Sequence, residues 1–212
     1  MRVKFDEMEK YVVKKSNRYF SLKDDGDVAR VRFMFDDLND LPIRVHEVKV
    51  DGYNRKVGCL REYDDPVHKC PLCESGNNPY LELYIPLIEE DEEDVKFWTR
   101  PYGFGPRISS KFARYKNFPS HIFEIERIGK AGNKNTTYEL TEIDSDDTKL
   151  SDYDVPSAVG TVVLDKTAEE MENYLATGSF DNNEEEQPVR RRDSQERTGR
   201  RTPANTRNTD RF

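Results

Sequence analysis

Val45-His46-Glu47-Val48-Lys49-Val50-Asp51-Gly52-Tyr53-Asn54-Arg55-Lys56-Val57-Gly58-Cys59, followed after ten residues by Cys70-Pro71-Leu72-Cys73, is the stretch on which the architecture turns. Two alternating runs flank Asp51-Gly52, a favoured two-residue hairpin turn. The spacing His46-x12-Cys59-x10-Cys70-x2-Cys73 uses every cysteine of the chain. A Cys-x2-Cys turn offers two thiolates from one loop, and the preceding hairpin supplies a third thiolate and an imidazole. Zinc accepts such a Cys3His set with no open position, which predicts a structural rather than a catalytic ion. His68, two residues before Cys70, competes with His46 for the fourth place. We favour His46, because a strand donor approaches from a better separated direction than one crowded beside the knuckle.

Outward from this module, strands are predicted at Tyr19–Leu22 and Val28–Phe35, paired around the turn at Lys23–Asp27. Val31, Phe33 and Phe35 alternate there with Arg30, Arg32 and Met34, which predicts one buried and one cationic face. Further strands are expected at Tyr80–Ile88 and Val95–Thr99, joined by the acidic residues Glu89–Asp94. A last hairpin, His121–Ile128 and Thr136–Ile143, turns at Gly129-Lys130-Ala131-Gly132-Asn133. Ile108–Tyr115 reads as a short helix with Ile108, Phe112 and Tyr115 on one face. Thr167-Ala168-Glu169-Glu170 is a capping box opening a helix that Gly178 closes. Many short strands with hairpin signals make the fold class mostly β, a small barrel with a few short helices.

The chain has 212 residues, 34 Lys and Arg against 42 Asp and Glu, and a net charge of −8. A mean hydropathy of −0.94 and 36% charged residues predict a soluble protein with no membrane span. The segment from Met1 lacks the apolar core of a signal peptide, and three clustered cysteines fit reduced thiols, so a cytoplasmic location is expected. From Asp181 large apolar residues nearly vanish, which predicts a disordered tail over 181–212. Its arginines, among them Arg190-Arg191-Arg192 and Arg200-Arg201, fit a nucleic-acid arm, a partner for the acidic Glu184-Glu185-Glu186, or a solvated linker alike. Residues 1–18 form a basic N-terminal segment and 19–180 the core.

The acidic balance is uneven. No Asp or Glu occurs between Lys96 and Ser120. Lys96-Phe97-Trp98-Thr99-Arg100-Pro101-Tyr102-Gly103-Phe104-Gly105-Pro106-Arg107 interleaves rings with cations, the chemistry that stacks bases and neutralises phosphates of a single strand. Trp98, Arg100, Tyr102, Phe104, Arg107, Lys111, Arg114, Tyr115 and Lys116 are the candidate contacts, with Arg30 and Arg32 beside them. Strand alternation requires Phe97 or Trp98 to point inward. Phosphate-binding glycine loops, His-Glu-x-x-His and nucleophile elbows are absent from the sequence, so no enzyme is expected. A zinc-containing nuclease or other DNA-processing enzyme is the alternative, and a zinc-ribbon adaptor for other proteins a third reading.

The spacing of His46, Cys59, Cys70 and Cys73 ahead of a basic-aromatic tract resembles the single-stranded-DNA-binding proteins of tailed bacteriophages, the helix-destabilising replication type. The likeness in layout extends from about Tyr19 to Leu175. It implies an OB-fold with an inserted zinc subdomain, about residues 43–78, and one structural zinc ion on those four residues. It further implies sequence-tolerant coating of single-stranded DNA during phage replication, recombination and repair, in the cytoplasm of an infected bacterial host. Cooperative self-association on DNA and contacts to replication and recombination proteins through the C-terminal tail belong to the same expectation. Two features depart from the family pattern. An arginine-rich end follows Glu184–Glu186 where the family carries an acidic arm, and Lys14-Lys15-Ser16 only loosely matches the family's basic N-terminal module.

Overall fold

The computed structural model describes residues 18–61, 69–90, 92–130, 132–133 and 135–180. The basic N-terminal segment up to residue 17, His68 and the tail 181–212 lie outside the described residues. Seven strands form one antiparallel sheet: β1 Val28–Phe33, β2 Pro42–Val50, β3 Tyr53–Gly58, β4 Tyr80–Glu89, β5 Lys96–Pro101, β6 His121–Ile128 and β7 Thr137–Ser145. Three α-helices accompany them among the described residues: α1 Pro71–Glu74, α2 Gly105–Arg114 and α3 Ala168–Thr177. No helix among the described residues is long and apolar enough to cross a membrane. The strand order is β3-β2-β4-β1-β6-β7, with β5 paired to β4.

β4 organises the sheet. Along one edge it pairs with β5 over Glu82–Leu87. Its other edge is divided: Tyr80–Leu83 pairs with Pro42–Val45 of β2, and Leu87–Glu89 pairs with Val31–Phe33 of β1. A proline in mid-strand usually argues against a central position. Pro86 is accommodated because its carbonyl, which accepts from Met34 N at 2.9 Å, faces the divided edge. The missing N–H therefore falls where the ladder passes from β2 to β1 and is interrupted anyway.

Both faces of this strand are covered, which explains the unbroken buried run from Leu83 to Ile88. On one face Leu83, Ile85, Leu87 and Trp98 join Val31, Phe33, Phe123 and Ile125, roofed by Ile108 of α2 and by Phe118. On the other, Val45, Tyr84 and Phe97 meet Ala158, Val162 and Val163 from the segment ahead of α3. No ladder joins β7 to β5 among the described residues. Side chains bridge that interval: Tyr138 of β7 meets Trp98 edge-on at 5.2 Å, and the Arg100 guanidinium lies 4.4 Å from the Tyr138 ring.

The hairpin at Asp51-Gly52 forms as its sequence predicts, with both residues at positive φ (51° and 83°), as a primed turn requires. The 121–145 hairpin, α3 and the Ile108–Phe112–Tyr115 face also follow expectation. Three details differ. Tyr19 does not pair with β1; it bridges Phe97 in parallel, and Phe20 N donates to Phe97 O at 3.0 Å. Seating Phe20 edge-on to Trp98 at 6.0 Å buries a ring that a local hairpin would leave outside. Met34 is buried against Ile88 and Val95 rather than exposed beside the arginines, because Leu150 and Val155 pack over that part of the face. Finally, α2 starts three residues early, with Pro106 in its first turn, where a missing N–H costs nothing.

Candidate metal centre and nucleic-acid interface

His46 stands on β2 opposite Val57 of β3, and Cys59 follows the end of β3 directly. Cys70 precedes α1 and Cys73 lies within it, so the one-turn helix carries half of the cluster. One ligand atom from each residue lies within 4.8 Å of every other, close enough to hold one metal ion. Cys70 Sγ is 3.4 Å and Cys73 Sγ 3.6 Å from His46 Nε2, and Cys59 Sγ is 3.6 Å from Cys73 Sγ. All three thiols are free.

The donors are tuned by their surroundings. Burial pushes the His46 imidazolium pKa below its usual value, favouring the neutral ring whose Nε2 offers a lone pair. Asn77 approaches closely enough to oppose that shift in part, yet no geometry for a hydrogen bond to the buried Nδ1 is reached. Burial raises the Cys70 thiol, but hydrogen bonds from the Cys73, Leu60 and Leu72 amides and the Cys73 side chain outweigh it and leave the pKa lowered. Cys73 is pushed up to about 12, by burial and then by the neighbouring Cys59 and Cys70 sulfurs. Three sulfurs this close resist joint ionisation unless a cation shares the site, which a divalent ion would do.

The predicted nucleic-acid contacts fall into three groups. Trp98 is 0% exposed, with rings of Phe20, Phe104 and Tyr138 around it. The expectation that it stacks on bases at the surface is therefore corrected. Both Phe97 and Trp98 are buried, because β5 lies between two cores instead of one core and solvent. Phe104 and Tyr115 pack against the main core as well. Tyr115 meets His121 at 4.8 Å and Phe123 at 5.4 Å.

In the second group the cations are engaged internally. Arg32 donates to both carboxylate oxygens of Asp146 and to the carbonyls of Ser120 (3.1 Å) and Pro119 (3.4 Å). Arg30 faces Glu90 at 3.4 Å and Glu124 at 4.0 Å. These two arginines serve an acidic rim rather than forming the free cationic face that β1 alternation predicts. Arg100 lies against Trp98 and Tyr138, and Arg107 donates to Tyr138 O at 3.0 Å and to Thr137 Oγ1.

The third group stays at the surface: Tyr102, 60% exposed, with exposed Arg114 and Lys116 and half-buried Lys111.

A second cationic-aromatic patch, which sequence reasoning missed, lies at the seam between the metal hairpin and β4. Register places Val45 beside Tyr80 and Ile43 beside Glu82, so Tyr80, Glu82 and Tyr84 share a face with Lys56 across β2. Lys56 Nζ is 4.8 Å from the Tyr80 ring centroid and donates to Tyr80 Oη and to Glu47 Oε2 (2.5 Å). Tyr19, 42% exposed, donates to Val162 O at 2.8 Å. Burial raises its pKa, and the charges of Arg55, Glu82 and Lys56 all act on it. The signal was present in Tyr53-Asn54-Arg55-Lys56, but the hairpin reading absorbed it. A scan against protein-family models and a search of curated proteins find no match to this chain.

Proposed function

We propose that this protein binds single-stranded DNA without sequence specificity and that its metal site is a structural zinc centre. The observation that carries the reading is the seam itself. Exposed Tyr80 lies against Lys56 with exposed Tyr19 on the same seam, and exposed Tyr102, Arg114 and Lys116 lie in an acid-free tract. Rings that can stack, alternating with ammonium and guanidinium groups, suit a flexible polyanion with open base faces. Zinc fits the donor set. Tetrahedral coordination at zinc–sulfur and zinc–nitrogen distances of about 2.3 and 2.0 Å requires donor separations of about 3.8 and 3.5 Å. The contacts are 3.4 and 3.6 Å from the Cys70 and Cys73 sulfurs to His46 and 3.6 Å between the Cys59 and Cys73 sulfurs, with every pair within 4.8 Å. The sheet, with both faces of β4 covered and the β5–β7 interval bridged by side chains, is compatible with a distorted OB-type barrel carrying the zinc hairpin as an insert.

The role that follows is to coat transiently exposed strands and lower duplex stability by binding one state only. This also fits the phage replication, recombination and repair setting that the motif implies. Zinc-loaded protein titrated into a fluorescent oligo(dT), with a magnesium incubation to check the oligonucleotide, tests it. Tight binding without cleavage is expected. Tyr80→Ala and Tyr102→Ala should each weaken it by about 1–3 kcal/mol, roughly 5- to 150-fold. Cleavage would instead identify a nuclease, and absence of binding would leave a protein adaptor.

A further inference from the structure

α3 is ten residues long, and Met171 is its one buried residue. A helix of this length is marginal by itself in water and depends on what it packs against. Its capping box at Thr167 and left-handed Gly178 define the ends but supply no burial. The packing comes from the metal hairpin. Met171 belongs to one apolar cluster with Val48, Val57, Cys70, Leu72 and Phe180, bordered by Cys59, Cys73, Leu164 and Tyr174. Met171 Sδ lies 3.9 Å from Cys70 Sγ. Tyr174 stacks on Phe180 at 4.6 Å, and its hydroxyl joins Lys49 N and Lys49 O at 3.1 and 3.2 Å.

Half of that platform is α1, a single four-residue turn too short to persist alone. Leu72 is fully buried yet sits between two metal-site cysteines, so its position follows theirs. The dependence runs in series: the four donors hold α1, α1 holds Cys70 and Leu72 in place, and these seat Met171. β2 and β3, by contrast, are secured by backbone ladders, which His46 joins through its main chain and not through its ring.

We propose that the metal centre is the latch of the C-terminal helix: opening the His46–Cys59–Cys70–Cys73 cluster releases residues 168–180 while the sheet remains folded. The helix is thus a subglobal unit whose stability is set by a site more than ninety residues earlier in the chain. Linkage makes the effect reciprocal, so a weakened helix must also loosen the metal.

Backbone amide exchange of the full chain, zinc-loaded and after treatment with a strong zinc chelator, reads the first half. Peptides covering 70–75 and 168–180 should exchange at least tenfold faster after chelation, with 28–33, 83–88 and 121–128 unchanged. Retained protection over 168–177 while 70–75 opens would overturn the proposal, and so would simultaneous loss across the sheet. Met171→Ala reads the second half. Transfer of zinc to a chromogenic chelator should be several-fold faster than in the wild type, whereas Leu175→Ala, at a surface position of the same helix, should match the wild type. Equal transfer rates for the two variants would overturn it even if Met171→Ala is partly unfolded, because unfolding alone speeds release.

Discussion

Trp98 is the single tryptophan of the chain, and its position gives a residue-scale reading that is easy to check. Its indole is enclosed by Phe20, Phe104 and Tyr138, with Arg100 at 5.0 Å. Trp98→Ala should cost about 3–5 kcal/mol of folding stability, as expected for emptying a large aromatic site. Urea unfolding measures that loss, and the intrinsic emission of the wild type should hardly change on saturating oligo(dT). Strong quenching would return Trp98 to the contact surface. The aromatic content of Lys96–Arg107 was legible in the sequence, but the direction of each ring was not. Alternation along β5 predicts one inward residue only when one face of the strand is open. Phe97 is covered by Val162 and Val163, contributed from more than sixty residues away. The four residues that come close enough to hold a metal ion were legible because their chemistry is carried by residue type and spacing. Asn77 beside His46 has no such signature.

At the scale of elements, features written in adjacent residues were readable. The Asp51-Gly52 turn and the α3 ends are local devices, and they form where the residues call for them. Glu170 shows how such a device responds to pH. Hydrogen bonding to Lys166, then to the Thr167 amide, lowers its pKa from 4.5 to about 2. The folded state therefore holds the carboxylate more strongly than the unfolded chain does. This contribution is complete above about pH 4.5 and is lost as pH falls toward about 2. Amide exchange in 168–177, corrected for the intrinsic rate, should lose protection across that window, and Glu170→Gln should remove this pH dependence. The Tyr19–Leu22 segment is the counterexample. Its partner Phe97 lies beyond β4, and no pattern in these four residues distinguishes that pairing from a local hairpin.

Across the whole molecule, charge is sorted by fold rather than by sequence neighbourhood. Arg32 reaches Asp146 over 114 positions, and Arg30 reaches Glu90 over 60. Lys96 is held between Glu89 and Glu92 at 2.6 and 2.5 Å. These pairings remove cations that a linear reading assigns to DNA and concentrate the remainder at Arg55, Lys111, Arg114 and Lys116. About four phosphate contacts on a single strand predict a slope of about −3 in log K against log salt. A fluorescence titration between low and moderate salt measures it. Arg114→Ala combined with Lys116→Ala should bring the slope to about −1.5, while Arg30→Ala should leave it unchanged. A slope near zero in the wild type would remove the polyanion from the proposal.

The divided edge of β4 carries a consequence for how the protein can change. The metal hairpin leaves the sheet at Pro42–Val45 and returns at Tyr80–Leu83, and these two segments are paired neighbours. A piece of chain whose entrance and exit are adjacent can be lengthened, trimmed or exchanged without rethreading any other strand. Topologically the hairpin is a cassette plugged into a socket formed by β4. Outside the sheet it is tied to the C-terminal helix and to Leu164, whose N donates to Lys56 O and whose O accepts from Gly58 N, so a replacement cassette must satisfy three joints: the ladder at Pro42–Val45, the Leu164 bridge and a seat for Met171.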